Sequence, residues 1–202
     1  RPILAFHASS RNGRHLVRVA NGEIMWADVQ LRFQVPDVLE EPQSLFLLDR
    51  TQHLHFQNST LTIQGNPRTA PWVAVLQVMP LRPSELIMAD DAMNGPMPPV
   101  IEFTSTIVRG YATLLKVPEG MPLRFKWDQG LLVTSERLLE LAGSRLMPRT
   151  AVGMKIDLSN ITAVVGKGLV LLHVDQELRY PLEFSGEIAR SIIFCSPGPD
   201  SP

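Results

Sequence analysis

Four charged residues in the second half of the chain have a spacing that could place them in one site. Arg124 and Lys126 are two residues apart, and so are Lys155 and Asp157. Side chains two residues apart in a β-strand lie on the same face. If the two segments stack in register, the four side chains share a face and could supply a base within a cationic environment. The alternative is a solvated face whose surface ion pairs contribute about 0–1 kcal/mol each. We assign no catalytic residue and keep these four as candidates only.

The other polar residues predict neither a metal site nor a cofactor site. His53 and His55 alternate on one predicted strand, but zinc needs three or four converging ligands, so an exposed strand face is the better interpretation. The pair Asp90-Asp91 lies in a proline-rich stretch and is predicted to be in a solvated loop. The segment Gly166-Lys167-Gly168 lacks the glycine spacing of a phosphate-binding loop and indicates a turn.

Composition excludes several classes of protein. Lys plus Arg total 19 and Asp plus Glu total 20, and the basic residues form no patch of the kind that binds nucleic acid. No run of 18 apolar residues is present, so we predict no membrane-spanning segment. Cys195 is the single cysteine, which excludes an internal disulfide, and its apolar neighbours predict a buried free thiol.

Alternating apolar residues predict short β-strands along most of the chain. Leu54-His55-Phe56 and Leu123-Arg124-Phe125 are examples in which every second side chain is apolar. The segment 135–143 could be a two-turn helix, but we favour a strand over 138–142. Seventeen Pro and thirteen Gly indicate frequent turns between these short elements.

We expect one domain over residues 1–195. Long loops are predicted near 36–42 and 80–99, where proline is concentrated, and residues 196–202 are predicted to be a disordered tail or linker.

A loose repeat underlies the predicted architecture. Several strands begin with an apolar-any-apolar triplet, continue through small polar residues and end in a further apolar stretch. The triplets close at Val19, Phe56, Phe103, Phe125, Leu158 and Phe184, with gaps of 37, 47, 22, 33 and 26 residues. The last three gaps suit one coil of a stacked repeat architecture, in which each short strand completes the core of its neighbour. The first two gaps need longer loops, which the proline-rich stretches at 36–42 and 80–99 supply. The sequence therefore predicts an all-β solenoid in which Phe56, Phe103 and Phe125 lie one above another. An antiparallel β-sandwich is the alternative.

The repeat resembles the right-handed parallel β-helix, or pectin-lyase-like, superfamily. The resemblance rests on residues 54–63, 123–133 and 154–164, with 159–162 as the most typical turn, and covers about residues 14–195. The chain is also similar to the β-helical extensions of some large bacterial proteins, including protein kinases. The superfamily includes polysaccharide lyases and hydrolases, and a lyase would use a base and a positive environment, which the four candidates could supply.

Two functions follow from these expectations. The first is a non-catalytic β-helical scaffold or interaction module, which we interpret as a fragment of a larger bacterial protein because the chain begins at Arg1. The second is a carbohydrate-active β-helix. Protein or carbohydrate partners are expected rather than nucleic acid, and an uncapped end of the solenoid would favour self-association.

Overall fold

The computed structural model describes residues 2–7, 15–79, 98–143, 153–173 and 183–195. The described part of the chain is all-β apart from a 3-10 turn at Ala70–Trp72. Its strands are β1 (Ile3–His7), β2 (His15–Ala27), β3 (Gln30–Gln34), β4 (Gln43–Gln57), β5 (Thr60–Gln64), β6 (Val73–Val78), β7 (Val100–Gly110), β8 (Thr113–Val117), β9 (Leu123–Thr134), β10 (Leu139–Ala142), β11 (Met154–Val165), β12 (Val170–His173), β13 (Phe184–Ala189) and β14 (Ile192–Cys195).

Among these strands, all the pairings are parallel and all belong to one sheet. Three long strands change neighbour along their length: β4 pairs with β6 and then β7, β7 with β4 and then β5, and β11 with β13 and then β14. Parallel pairing throughout is opposite to what an antiparallel sandwich requires.

The pairings arrange the strands in three columns, each made of segments hydrogen-bonded one after another. The first column contains 15–20, 43–48, 73–78, 113–117, 139–142 and 170–173. The second contains 22–27, 53–57, 100–104, 124–128, 155–159 and 184–189. The third contains 3–7, 30–34, 60–64, 107–110, 131–134, 162–165 and 192–195.

The inward side chains of the three columns form one apolar core. Its largest fully buried members include Phe33, Phe46, Phe56, Phe103, Phe125 and Trp127. Phe56 and Phe103 are direct cross-strand partners with ring centroids 5.1 Å apart, and Phe103 lies 5.6 Å from Phe125 and 5.2 Å from Trp127. Phe56 and Phe103 therefore stack as predicted, whereas Phe125 packs beside Phe103 from the neighbouring row.

The register of the stack differs from the predicted one by two residues. Phe103 pairs with Trp127, whereas Phe125 pairs with Ile101 and Ile156. A shift of two residues keeps the same side chains on the same face, so the apolar alternation alone could not distinguish the two registers.

The structure corrects three further details. Phe184, predicted to close a core triplet, pairs with Met154 and is 49% exposed, because β13 is the last described strand of the second column. Cys195 is exposed rather than buried for the same reason at the end of the third column. The small polar residues after the triplet that closes at Phe184, residues 185–187, were expected to form a turn, but they lie inside β13, and the bend comes at Arg190.

The remaining segments fall as follows. Residues 139–142 form a strand, which confirms the strand preferred over a helix there. Residues 35–42 connect β3 to β4 outside regular secondary structure. Most of the loop predicted at 80–99, including Asp90-Asp91, and the whole tail at 196–202 lie outside the described residues. Within the described residues, no helix has both the length and the apolar character needed to cross a membrane.

Candidate functional site

The four candidate residues lie together on the outward face of the second column. Arg124 pairs in register with Lys155, and Lys126 pairs with Asp157. The inward residues between them, Phe125 and Ile156, are buried, so the alternation fixes which side chains point outward. The shared face expected for the four residues is therefore present.

Both lysines among the four candidates form ion pairs with carboxylates. Lys155 Nζ lies 3.2 Å from Asp157 Oδ2 on the same strand. Lys126 Nζ lies 3.0 Å from Glu102 Oε1 on the neighbouring strand β7. Both lysine side chains are more than half exposed, so each pair contributes little to stability on its own.

Glu102 is a site residue that the sequence interpretation missed. Its second carboxylate oxygen, Oε2, lies 3.2 Å from His53 Nε2, so the carboxylate bridges β4 and β9. Partial burial would raise the pKa of Glu102, but the hydrogen bonds and charges of Lys126 and His53 together outweigh it and hold the pKa below its usual range. Glu102 is the middle residue of an apolar-any-apolar triplet, and that position already indicated an outward side chain.

The two histidines lie on the same side of β4, as the alternation predicted. Their rings stack with centroids 6.0 Å apart and an interplanar angle of 8°. His55 Nε2 lies 3.3 Å from Thr104 Oγ1, while His53 contacts Glu102. Each imidazole therefore contacts the next strand rather than converging on a common point. Within the described residues, no group of three or more His, Cys, Asp or Glu could hold a metal ion.

A second polar cluster follows at the end of the same face. Ser159 Oγ and Asn160 Nδ2 donate hydrogen bonds of 2.7 and 2.8 Å to the same oxygen of Asp128. These hydrogen bonds, with that of Ser159 foremost, lower the pKa of the Asp128 carboxyl. Across the preceding pair of strands, Ser105 Oγ lies 3.0 Å from Gln129 Oε1.

Glu136 is a buried acid outside this face that the sequence interpretation also missed. It is 1% exposed, and its Oε1 lies 2.9 Å from Lys167 Nζ. Its backbone N–H donates to Thr134 Oγ1 at 3.2 Å. Lys167, predicted to lie in a simple turn, thus neutralises an acid of an earlier bend of the chain.

The candidate face is a ladder of paired charges and hydrogen bonds rather than a cleft. Its central row runs across the strands as His55, Glu102, Lys126, Asp157 and Glu187. An apolar cavity of about 160 Å³ lies elsewhere, beside Leu141, Met154, Leu172 and Phe184. Two of the three tryptophans pack into the apolar core rather than onto the charged face: Trp127 is fully buried, and Trp26 packs on Phe46 and Phe56.

Comparison of the chain with protein-family models, curated proteins and solved structures gives no match.

Proposed function

We propose that this chain is a right-handed parallel β-helix that serves as a non-catalytic scaffold or interaction module within a larger bacterial protein. The three columns of parallel strands support successive coils of a solenoid. In the second column, each strand pairs with a strand 24 to 47 residues later in the sequence. Each coil buries an inward set of side chains against the next.

The observation that carries the scaffold function is the open end of the stack. Phe184 and Ile188 occupy inward positions equivalent to the buried Met154 and Leu158, yet they are 49% and 52% exposed. Backbone groups on the free side of β12, β13 and β14 have no further described strand to pair with. Such an edge favours pairing with another polypeptide.

The outward face of the second column also supports a structural role, because its charged side chains are paired with one another. Glu102 is held by His53 and Lys126, and Asp157 is held by Lys155. Groups that neutralise one another across strands stabilise the outer surface of a sheet without a reacting partner.

The scaffold function is tested at the open end. Ile188→Lys introduces a charge at an exposed inward position, so we expect it to weaken association through that end. Gln34→Lys adds the same charge at an exposed outward position of the third column and is the matched control. Sedimentation velocity at several concentrations measures both variants. Unchanged association of Ile188→Lys would contradict the proposed role of the end.

A carbohydrate-active β-helix is the second candidate, favoured by the juxtaposition of Arg124, Lys126, Lys155 and Asp157. The purified chain would be incubated with acidic and neutral polysaccharides, and new reducing ends and unsaturated products would be measured. Turnover that is lost in Lys155→Ala but kept in Lys116→Ala, a lysine of the first column, would establish this candidate and reject the scaffold. We expect no turnover.

A further inference from the structure

The outward face of the third column changes from polar to apolar along the stack. Its early strands present Gln30, Arg32, Thr60 and Thr62 to solvent. Its later strands present an apolar face made of Ile107, Leu131, Val133, Val164, Ile192 and Phe194. Exposure on this apolar face reaches 64% for Ile192 and 67% for Phe194.

The strand register makes the apolar face continuous. One row runs from Val133 through Val164 to Phe194, each the direct partner of the next. The parallel row runs from Ile107 through Leu131 and Thr162 to Ile192. The strand segments 131–134, 161–165 and 192–195 contain no charged residue. Arg109 lies outward at the β7 edge of the face, where it pairs with Val133 and its Nε donates a hydrogen bond to Thr62 Oγ1 at 3.2 Å. The centre of the face can therefore be covered without desolvating a charge.

The outward face of the second column is charged where that of the third column is apolar. There the outward positions of the same strands carry Lys126, Asp157 and Glu187. Isolated apolar residues on a surface are ordinary, but a contiguous apolar patch marks a contact surface. Parallel sheets are also normally covered on both faces.

We propose that the apolar face binds the same face of a second copy of this chain. The rows of the face repeat at the strand spacing of about 4.8 Å, which is also the spacing in a second copy of the same sheet. Four of its six residues, Ile107, Val133, Val164 and Ile192, are β-branched and suit the interdigitation of two packed sheets. A two-fold contact needs no charge complementarity, and the net charge of −1 gives little long-range repulsion between copies.

The size of the face sets the expected strength of the dimer. Four strands spaced about 4.8 Å apart, over about five residues at 3.3 Å each, cover roughly 300 Å² per copy. A standard stable interface buries about 800 Å² per partner. We therefore expect a weak, reversible dimer that forms only at high protein concentration.

The experiment separates this lateral contact from the end contact of the proposed function. Every protein carries Cys195→Ser, because the exposed thiol could form an intermolecular disulfide. Ile188→Lys serves as the parent, in which association through the end is weakened. Val164→Lys is added to this parent as the test, and Gln34→Lys is added as the control. Sedimentation equilibrium from about 1 to about 500 µM measures the mean mass, and circular dichroism checks that each variant folds.

We expect the parent and its Gln34→Lys derivative to approach twice the chain mass at the highest concentration, while the Val164→Lys derivative keeps the mass of one chain. Val133→Lys replaces Val164→Lys if the latter fails to fold. A monomeric parent, or a Val164→Lys derivative that still dimerises, would overturn the lateral contact without affecting the end contact. Binding of a monomeric parent to phosphatidylserine vesicles, abolished by Val164→Lys, would assign the face to a lipid surface instead.

Discussion

Asp128 is an acid whose charged form is stabilised by the fold. Ser159 and Asn160 donate to one of its carboxylate oxygens, and a protonated carboxyl accepts such hydrogen bonds less strongly. The pKa of Asp128 is accordingly lower in the folded chain than in the unfolded chain. The resulting stabilisation is complete above the ordinary Asp range, near pH 3.9, and is lost as the pH falls through the lower pKa of the folded state.

We predict that Asp128→Asn lowers the free energy of unfolding at pH 7 but has a smaller effect at pH 3. The amide removes the charge, so the variant lacks the part of the stability that depends on ionisation. Urea unfolding at both pH values measures the difference, and Glu187→Gln, an exposed acid of the same column, is the control. An equal loss at the two pH values would show that the hydrogen bonds matter without the charge.

At the scale of elements, one bend of the chain recurs through the stack. Between the second and third columns, one residue of each turn adopts a positive φ between 48° and 56°: Asp28, Asn58, Ser105, Gln129, Asn160 and Arg190. Short polar side chains tolerate this left-handed conformation better than most, although Gln129 and Arg190 show that the stack can impose it on longer ones.

The residue after each left-handed position lies on the inward side, and in three of the six turns its hydroxyl hydrogen-bonds across the bend. Ser59 Oγ lies 2.8 Å from the carbonyl oxygen of Gln57, and Thr106 Oγ1 lies 3.0 Å from that of Thr104. Ser191 makes the same bond to Ala189 at 2.8 Å. The carbonyls of Gln57 and Thr104 also accept the backbone N–H groups of Asp28 and Asn58, each at 3.0 Å, so the hydroxyl adds a second hydrogen bond at the bend.

Gly130 occupies this inward position in β9, and here the indole of Trp127 takes the space of a side chain. A methyl group at Gly130 would meet the Trp127 ring and lie 2.5 Å from the carbonyl oxygen of Thr106. We predict that Gly130→Ala costs about 3 kcal/mol, through overpacking against backbone that cannot move freely.

Thr106→Val is the comparison for this prediction. It keeps the shape of the neighbouring inward side chain and removes only the hydroxyl, so it should cost about 1 kcal/mol. Chemical unfolding of both variants measures which substitution lowers the free energy of unfolding more. A cost of Gly130→Ala below that of Thr106→Val would contradict the close packing at this bend.

These bends also explain how much of the structure could be predicted from sequence. The small polar residues that follow the apolar triplets in the repeat include Asn58, Ser105, Gln129 and Asn160, and all four adopt the left-handed conformation in the structure. Alignment on these four turns gives gaps of 47, 24 and 31 residues, which is the observed register. Alignment on apolar triplets instead gave 22 and 33 for the last two, because Phe103, Phe125 and Trp127 are interchangeable in an alternating pattern.

The candidate face could be predicted only in part, because apolar alternation shows which side chains point outward but not which strands are neighbours. Alternation placed Arg124, Lys126, Lys155 and Asp157 outward, but their cross-strand neighbours lie 24 or more residues away in sequence. The bridge from His53 through Glu102 to Lys126 depends on the register across β4, β7 and β9, which no local pattern specifies. The exposure of Phe184 and Cys195 depends on their place at the end of the stack rather than on their neighbours in sequence.

At the scale of the whole molecule, the aromatic core runs through successive strands. Phe46 and Phe56 are 5.3 Å apart by ring centroid, and the contacts continue through Phe103 to Phe125 and Trp127. Each strand contacts only the strands before and after it in its column, apart from the shared core. Stability in such an array is close to a sum of local terms and interfaces between neighbours, so the ends open more easily than the middle.

We predict that this arrangement gives a gradient of stability toward the open end. Phe103→Ala removes a ring that is 1% exposed in the middle of the stack and should cost about 3–5 kcal/mol, whereas Phe184→Ala at the end should cost less than about 1 kcal/mol. Hydrogen exchange of the native chain should show β13 and β14 opening well below the free energy of global unfolding, with β7 and β9 exchanging only through it. Equal protection of β13 and β9, together with similar costs for the two substitutions, would mean that the end is covered as thoroughly as the middle. In that case the exposed side chains of Phe184 and Ile188 would no longer support a contact surface there.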